Sequence, residues 1–238
     1  MTRFISFVSG KGGVGKTSLA INVSHVLQNL GKSVVLVDAN IATPNVGLYL
    51  GVLRPGKTLN QFLEGNESLH EIVQEHQSGL HVVYSDPSYS QFKNTSPERL
   101  KHLFSRLSGA SDYVVVDSPS GFGEDVLPVI EHSDEVILVV IPTMASIMEA
   151  MKNIELCRSK GTMVTGAILN MNGTWWSKPS LDVNDVENLL GIPVLTALHS
   201  DKKFPASQHL QEPYVSLYPR RSNSRKLREL AEKMYVGK

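Results

Sequence analysis

The sequence predicts an α/β protein in which a doubly wound, mostly parallel β-sheet is flanked by helices. Short β-branched apolar runs alternate with stretches of helical periodicity, the pattern of strands joined by crossover helices. The first apolar run, Phe4-Ile5-Ser6-Phe7-Val8, passes through a glycine-rich loop into an amphipathic stretch beginning near Lys16. Several apolar runs then deliver a polar side chain, at Asp38, Asp117 and Asn170, where ligands sit in sheets of this kind.

After the first strand and loop, Leu19, Val23, Val26, Leu27 and Leu30 mark one helix face, and Gly31 is placed to end that helix at its C′ position. Ser33-Val34-Val35-Leu36-Val37 reads as the second strand. Ser96-Pro97 reads as an N-cap with proline at the first helical position, followed by Leu100, Leu103, Phe104 and Leu107 on one face. Tyr113-Val114-Val115-Val116 is a buried strand ending at Asp117. Val136 to Ile141, Val164 to Leu169 and Val194 to Leu198 read as three more strands, with helices near Ile147 to Lys160 and Val183 to Leu190 between them. Gly191 and Pro193 punctuate the last boundary. Between Gly65 and Lys93 the pattern fixes no boundaries. No repeat, low-complexity tract or linker divides the chain, and 238 residues with 41% hydrophobic content suit a single domain over residues 1–238.

Gly10-Lys11-Gly12-Gly13-Val14-Gly15-Lys16-Thr17 fits the phosphate-binding pattern G-x-x-x-x-G-K-[ST] in the strand–loop–helix setting it requires. Glycines let backbone N–H groups turn toward phosphate oxygens, and the following helix adds its positive N-terminal end. Lys16 is expected to reach the β/γ-phosphates and the Thr17 hydroxyl to ligate Mg²⁺, so the chain is read as binding a nucleoside triphosphate. Asp117 opens Asp117-Ser118-Pro119-Ser120-Gly121, as expected of a carboxylate that holds Mg²⁺ through water; a plain strand-end turn is the simpler reading.

Composition narrows the classes. Lys and Arg total 23 against 23 Asp and Glu, and zero formal charge argues against a strongly nucleic-acid-like protein. A charge-driven partner must then use a local patch. Arg220, Arg221, Arg225, Lys226 and Arg228 supply one, as a phosphate-rich or acidic-protein contact or as a solvated helix start. One cysteine, Cys157, can form neither an internal disulfide nor a cluster site, and eight histidines show no metal-binding spacing. The first strand starts near Arg3 with no charged-then-apolar leader, and no run of about 18 apolar residues occurs, so a cytoplasmic protein that does not span a membrane is expected.

The second lysine of the loop, Lys11, stands where the ordinary pattern is free, and the loop resembles the deviant phosphate loop of the MinD/ParA family. The resemblance runs from Arg3 to about Met234 and is closest to archaeal-type MinD-like proteins. It implies a P-loop ATPase fold, ATP and Mg²⁺ as cofactors, and an ATP-dependent homodimer in which Lys11 crosses to the partner's phosphates. It further implies a first switch opening at Asp38 and running through Asn45 to Leu48, and a second ending at Gly121. By the same resemblance Asn170 pairs with adenine. Nucleotide contacts are implied for Gly10, Lys11, Gly12, Gly13, Val14, Gly15, Lys16, Thr17, Ser18, Gly121 and Asn170, Mg²⁺ contacts for Thr17, Asp38 and Asp117, and catalytic roles for Lys11, Lys16, Asp38, Asn40 and Asn45.

Two departures qualify it. The family usually carries aspartate where this chain has Asn40; an amide can orient water but not take its proton, so hydrolysis is expected to be slow, or else Asp38 or Asn45 positions the water. Leu227, Leu230, Ala231 and Met234 near the end recur at helical spacing, and the stripe reads as a face packed on the domain rather than a lipid anchor. Trp175-Trp176 reads either as an anchor for a partner or membrane interface or as packing over the base site. The overall reading is a MinD-type spatial switch that positions a division site or another cellular structure. It needs an unidentified activating partner and reaches a membrane only transiently through a partner. A ParA-like DNA-binding partition protein is the alternative.

Overall fold

A computed structural model describes residues 1–173 and 180–236, so Trp175 and Trp176 lie outside the described residues. The chain runs β1 (Arg3–Ser9), α1 (Lys16–Asn29), β2 (Val34–Asp38), α2 (Val46–Tyr49), α3 (Leu59–Glu64), α4 (Leu69–Ile72), β3 (Val73–Glu75), β4 (His81–Val83) and α5 (Tyr89–Asn94). A 3₁₀ turn (Pro97–Arg99) then leads into α6 (Leu100–Leu107), β5 (Tyr113–Ser120), α7 (Leu127–Glu131), β6 (Glu135–Val140), α8 (Met144–Lys160) and β7 (Met163–Leu169). The last elements are α9 (Val183–Leu190), β8 (Val194–Ala197), α10 (Lys203–His209), α11 (Tyr214–Leu217) and α12 (Ser222–Val236).

The strands form one sheet in the order β3-β4-β2-β5-β1-β6-β7-β8. Every pairing is parallel except the edge pair β3 and β4. Helices cover both faces, which is why β1 and β5 read as near-continuous apolar runs rather than alternating ones. On one face Leu19, Val23 and Leu27 of α1 pack with Leu227, Leu230 and Ala231 of α12; on the other, Leu100, Leu103, Phe104 and Leu107 of α6 cover β2 and β5. A third cluster joins Ile147, Ala150 and Ile154 of α8 to Val186 and Leu190 of α9. The terminal stripe is therefore a packed face: Leu227, Leu230, Ala231 and Met234 are all buried.

Gly31 takes the positive φ of a C′ residue, 82°, and its N–H closes on Gln28 O. The proline-led helix differs in detail, since Pro97–Arg99 is a 3₁₀ turn and the α-helix starts at Leu100. β5 also continues past Asp117 to Ser120, because residues 117 to 120 still pair with β1. α8 begins at Met144, three residues before the apolar periodicity, because the Thr143 side chain caps it by accepting the Ser146 N–H. No helix among the described residues is long and apolar enough to cross a membrane.

Candidate nucleotide site at the carboxyl edge of the sheet

β1 and α1 hold the loop from Gly10 to Gly15 between them, and two of its glycines are demanded by close approach. Gly15 has φ 94°, and a Cβ there would lie 2.3 Å from Asn170 Nδ2; at Gly10 a Cβ would lie 2.3 Å from Glu149 Cβ. Lys16 is buried at the start of α1, where its Nζ donates to Asp117 Oδ1 (2.6 Å) and to Ser118 O. Thr17 Oγ1 donates to the other oxygen of Asp117 at 2.6 Å. Lys11, Gly12 and Gly13 are instead exposed. The two lysines of one loop thus occupy opposite environments.

Parallel pairing sets Asp38 of β2 directly beside Asp117 of β5. Both are wholly buried, and Lys16 is the ammonium that meets Asp117. Burial, and next the neighbouring Asp117 charge, push the Asp38 carboxyl up to about 7; N–H bonds and Lys16 pull the other way. Two adjacent buried carboxylates with a threonine hydroxyl beside them suit a hard divalent cation such as Mg²⁺. Bound Mg²⁺ would neutralise charge on the phosphates.

The Asp38 carboxylate also organises the segment that follows it. Oδ2 accepts the N–H groups of Asn45 (3.0 Å) and Val46 (2.9 Å) at the start of α2, and Oδ1 accepts that of Asn40 (3.2 Å). Asn40 is buried, and both ends of its amide are engaged: Nδ2 donates to Thr43 O (2.7 Å), while Oδ1 accepts from the N–H and hydroxyl of Thr43. Asn45 Nδ2 donates to the same carbonyl at 2.7 Å. In this conformation Asn40 therefore holds a turn rather than presenting a free amide to water. Gly121, at φ 106°, anchors the other segment by donating its N–H to Ser9 O (2.8 Å).

Asn170 Nδ2 donates one of its two N–H groups to Val14 O (2.8 Å). It borders a cavity of about 360 Å³ shared with Gly13, Gly15, Ser18, Tyr49, Phe204 and Gln208. Sequence reading missed the last three. Gln208 Nε2 donates to Ser18 Oγ at 2.9 Å, and Phe204 stacks on Tyr214 with centroids 4.0 Å apart, contacts that only the tertiary fold creates. It also missed Asn153, wholly buried in mid-α8. With its amide oriented to satisfy both neighbours, Asn153 donates to Gly121 O and accepts from Gly10 N–H, each at 3.0 Å. An asparagine beside the apolar Ile147, Ala150, Ile154 stripe was the available signal, since buried polar groups need partners.

A family profile described as "ParA: NUBPL iron-transfer P-loop NTPase" matches residues 1–235. The chain belongs to the ParA/MinD family of P-loop NTPases. An uncharacterised ATP-binding protein of Methanocaldococcus jannaschii is 30% identical over 98% of this chain and 88% of its own length. Among solved structures, the septum site-determining protein MinD with Mg-ADP from Pyrococcus horikoshii superposes with a TM-score of 0.93 at 26% identity, covering 99% of this chain and 97% of that one. The cell division ATPase MinD of Pyrococcus furiosus gives 0.94 at 26% identity over the full length of both. This ParA/MinD protein is thus an ATP-binding P-loop protein of a family of ATPases, with the MinD fold. Its one cysteine, Cys157, is fully buried with its thiol pushed up to about 11 by burial, and one thiol cannot hold an iron–sulfur cluster.

Proposed function

We propose that the protein is a single-domain, ATP-dependent, dimerising ATPase of the MinD type that acts as a cytoplasmic spatial switch. The observation that carries this reading is the divergence of the two loop lysines. Lys16 is buried against Asp117, placed for the chain's own phosphates, whereas Lys11 is exposed at the mouth of the loop, where a second copy would bring its phosphates. Thr17, Asp38 and Asp117 would hold Mg²⁺, and Asn170 with the cavity beside it would take adenine.

Asp38 and Asn45 fix the first switch turn, Asn153 ties the loop to Gly121, and hydrolysis is slow because Asn40 replaces a carboxylate and is engaged with Thr43. The names of the Pyrococcus relatives support positioning of the division site as the cellular role. A partner protein would stimulate turnover and bring the chain to a membrane. Size-exclusion chromatography with light scattering in ADP and in ATP, accompanied by sedimentation with liposomes and with DNA, tests the reading. A dimer in ATP alone is expected. A monomer in both nucleotides overturns it, and ATP-dependent pelleting with DNA favours the partition protein instead.

A further inference from the structure

The basic run from Arg220 to Arg228 is not one flat patch. Lys226 Nζ donates to Ala197 O (2.6 Å) and Arg228 Nη2 to Pro219 O (2.8 Å), so two of its five cations are committed to backbone carbonyls. Arg221, just before α12, and Arg225 in its first turn instead line a cavity of about 730 Å³ together with Lys202 and Lys203 at the start of α10. Four cations therefore converge on one concavity in a chain whose formal net charge is zero.

Its single carboxylate, Asp201, is already engaged. Oδ1 accepts the Lys203 N–H (2.9 Å), and Oδ2 accepts the Tyr214 hydroxyl (2.8 Å) and, at a long 3.4 Å, Arg221 Nη1, which leaves the rest of the Arg221 fork for a ligand. Asn223 fixes the wall by bonding both the N–H and the carbonyl of His199 (3.0 and 2.9 Å). An electropositive hollow of this size focuses potential on a compact anion, and arginine forks match phosphate oxygens. Cations that converge on a hollow suit a compact ligand better than an extended duplex. Ser200, Asp201 and Lys202 also border the nucleoside cavity, so the two hollows share a wall.

We propose that this hollow is a second anion site, separate from the phosphate loop, for a compact ligand bearing two or more phosphates. Arg221 and Arg225 grip the phosphates, and Lys202 and Lys203 complete the charge. Inorganic tripolyphosphate titrated calorimetrically into protein saturated with Mg-ADP tests it. Binding of one molecule per chain is expected, weakening with salt, and falling at least about tenfold in Arg221→Ala/Arg225→Ala while ADP affinity holds. If that variant has lost its fold, as judged by its melting curve, Lys202→Gln/Lys203→Gln must show the same loss. No binding, binding that survives both substitutions, or retention of only a short DNA duplex or anionic phosphatidylglycerol vesicles overturns the proposal.

Discussion

At Asp38 the sheet imposes an electrostatic cost, because the carboxyl is buried beside Asp117. Its carboxyl is raised from the usual 3.8 to about 7, so the folded protein binds a proton more tightly than the unfolded chain. The stability penalty of ionised Asp38 is absent below about pH 4, grows as pH rises toward 7 and is complete above it. Urea unfolding of the nucleotide-free protein is expected to show a larger loss of stability between pH 5 and pH 8 in the natural chain than in Asp38→Asn. Equal losses would contradict the account. Asn40 makes the second residue-scale prediction. An aspartate there keeps an acceptor for Thr43 but gives up the donor to Thr43 O, which loosens the turn and frees a carboxylate for water. Such groups contribute roughly 10²–10⁴ in rate, so Asn40→Asp should accelerate single-turnover hydrolysis at saturating Mg-ATP. A variant that is no faster means that Asn40 does not limit catalysis.

Among the elements, legibility followed length and burial. Helix α1, the apolar face of α6 and strands β5 to β8 were readable because each carries three or more apolar residues at one period. β3 and β4, three residues each, fit neither period, and the edge hairpin they make was invisible. Motif residues 10 to 17 were legible because phosphate chemistry restricts residue type and spacing, and Asp38 and Asp117 because each closes an apolar strand. Tyr49, Phe204, Gln208 and Asn153 were not, because they reach the site from distant segments. The stripe on α12 was legible as packing, and it has a measurable consequence. Leu230 is 3% exposed against α1, so Leu230→Ala should cost about 2–5 kcal/mol in chemical denaturation without changing nucleotide affinity. A cost below about 0.5 kcal/mol, the range of surface substitutions, would mean the face is not packed.

The whole molecule brings the candidate site groups to one edge of the sheet: the loop after β1, Asp38 at the end of β2, Asp117 on β5 and Asn170 after β7. An exposed Lys11 on that edge has no assigned work within one copy. If it serves a second copy, association and nucleotide binding are separable by one substitution. Light scattering of the natural protein and of Lys11→Ala, each in ADP and in ATP, measures this directly. The account predicts an ATP-dependent dimer that disappears in Lys11→Ala while ADP binding by the monomer is unchanged; an ATP dimer that persists in Lys11→Ala at low micromolar protein would contradict it.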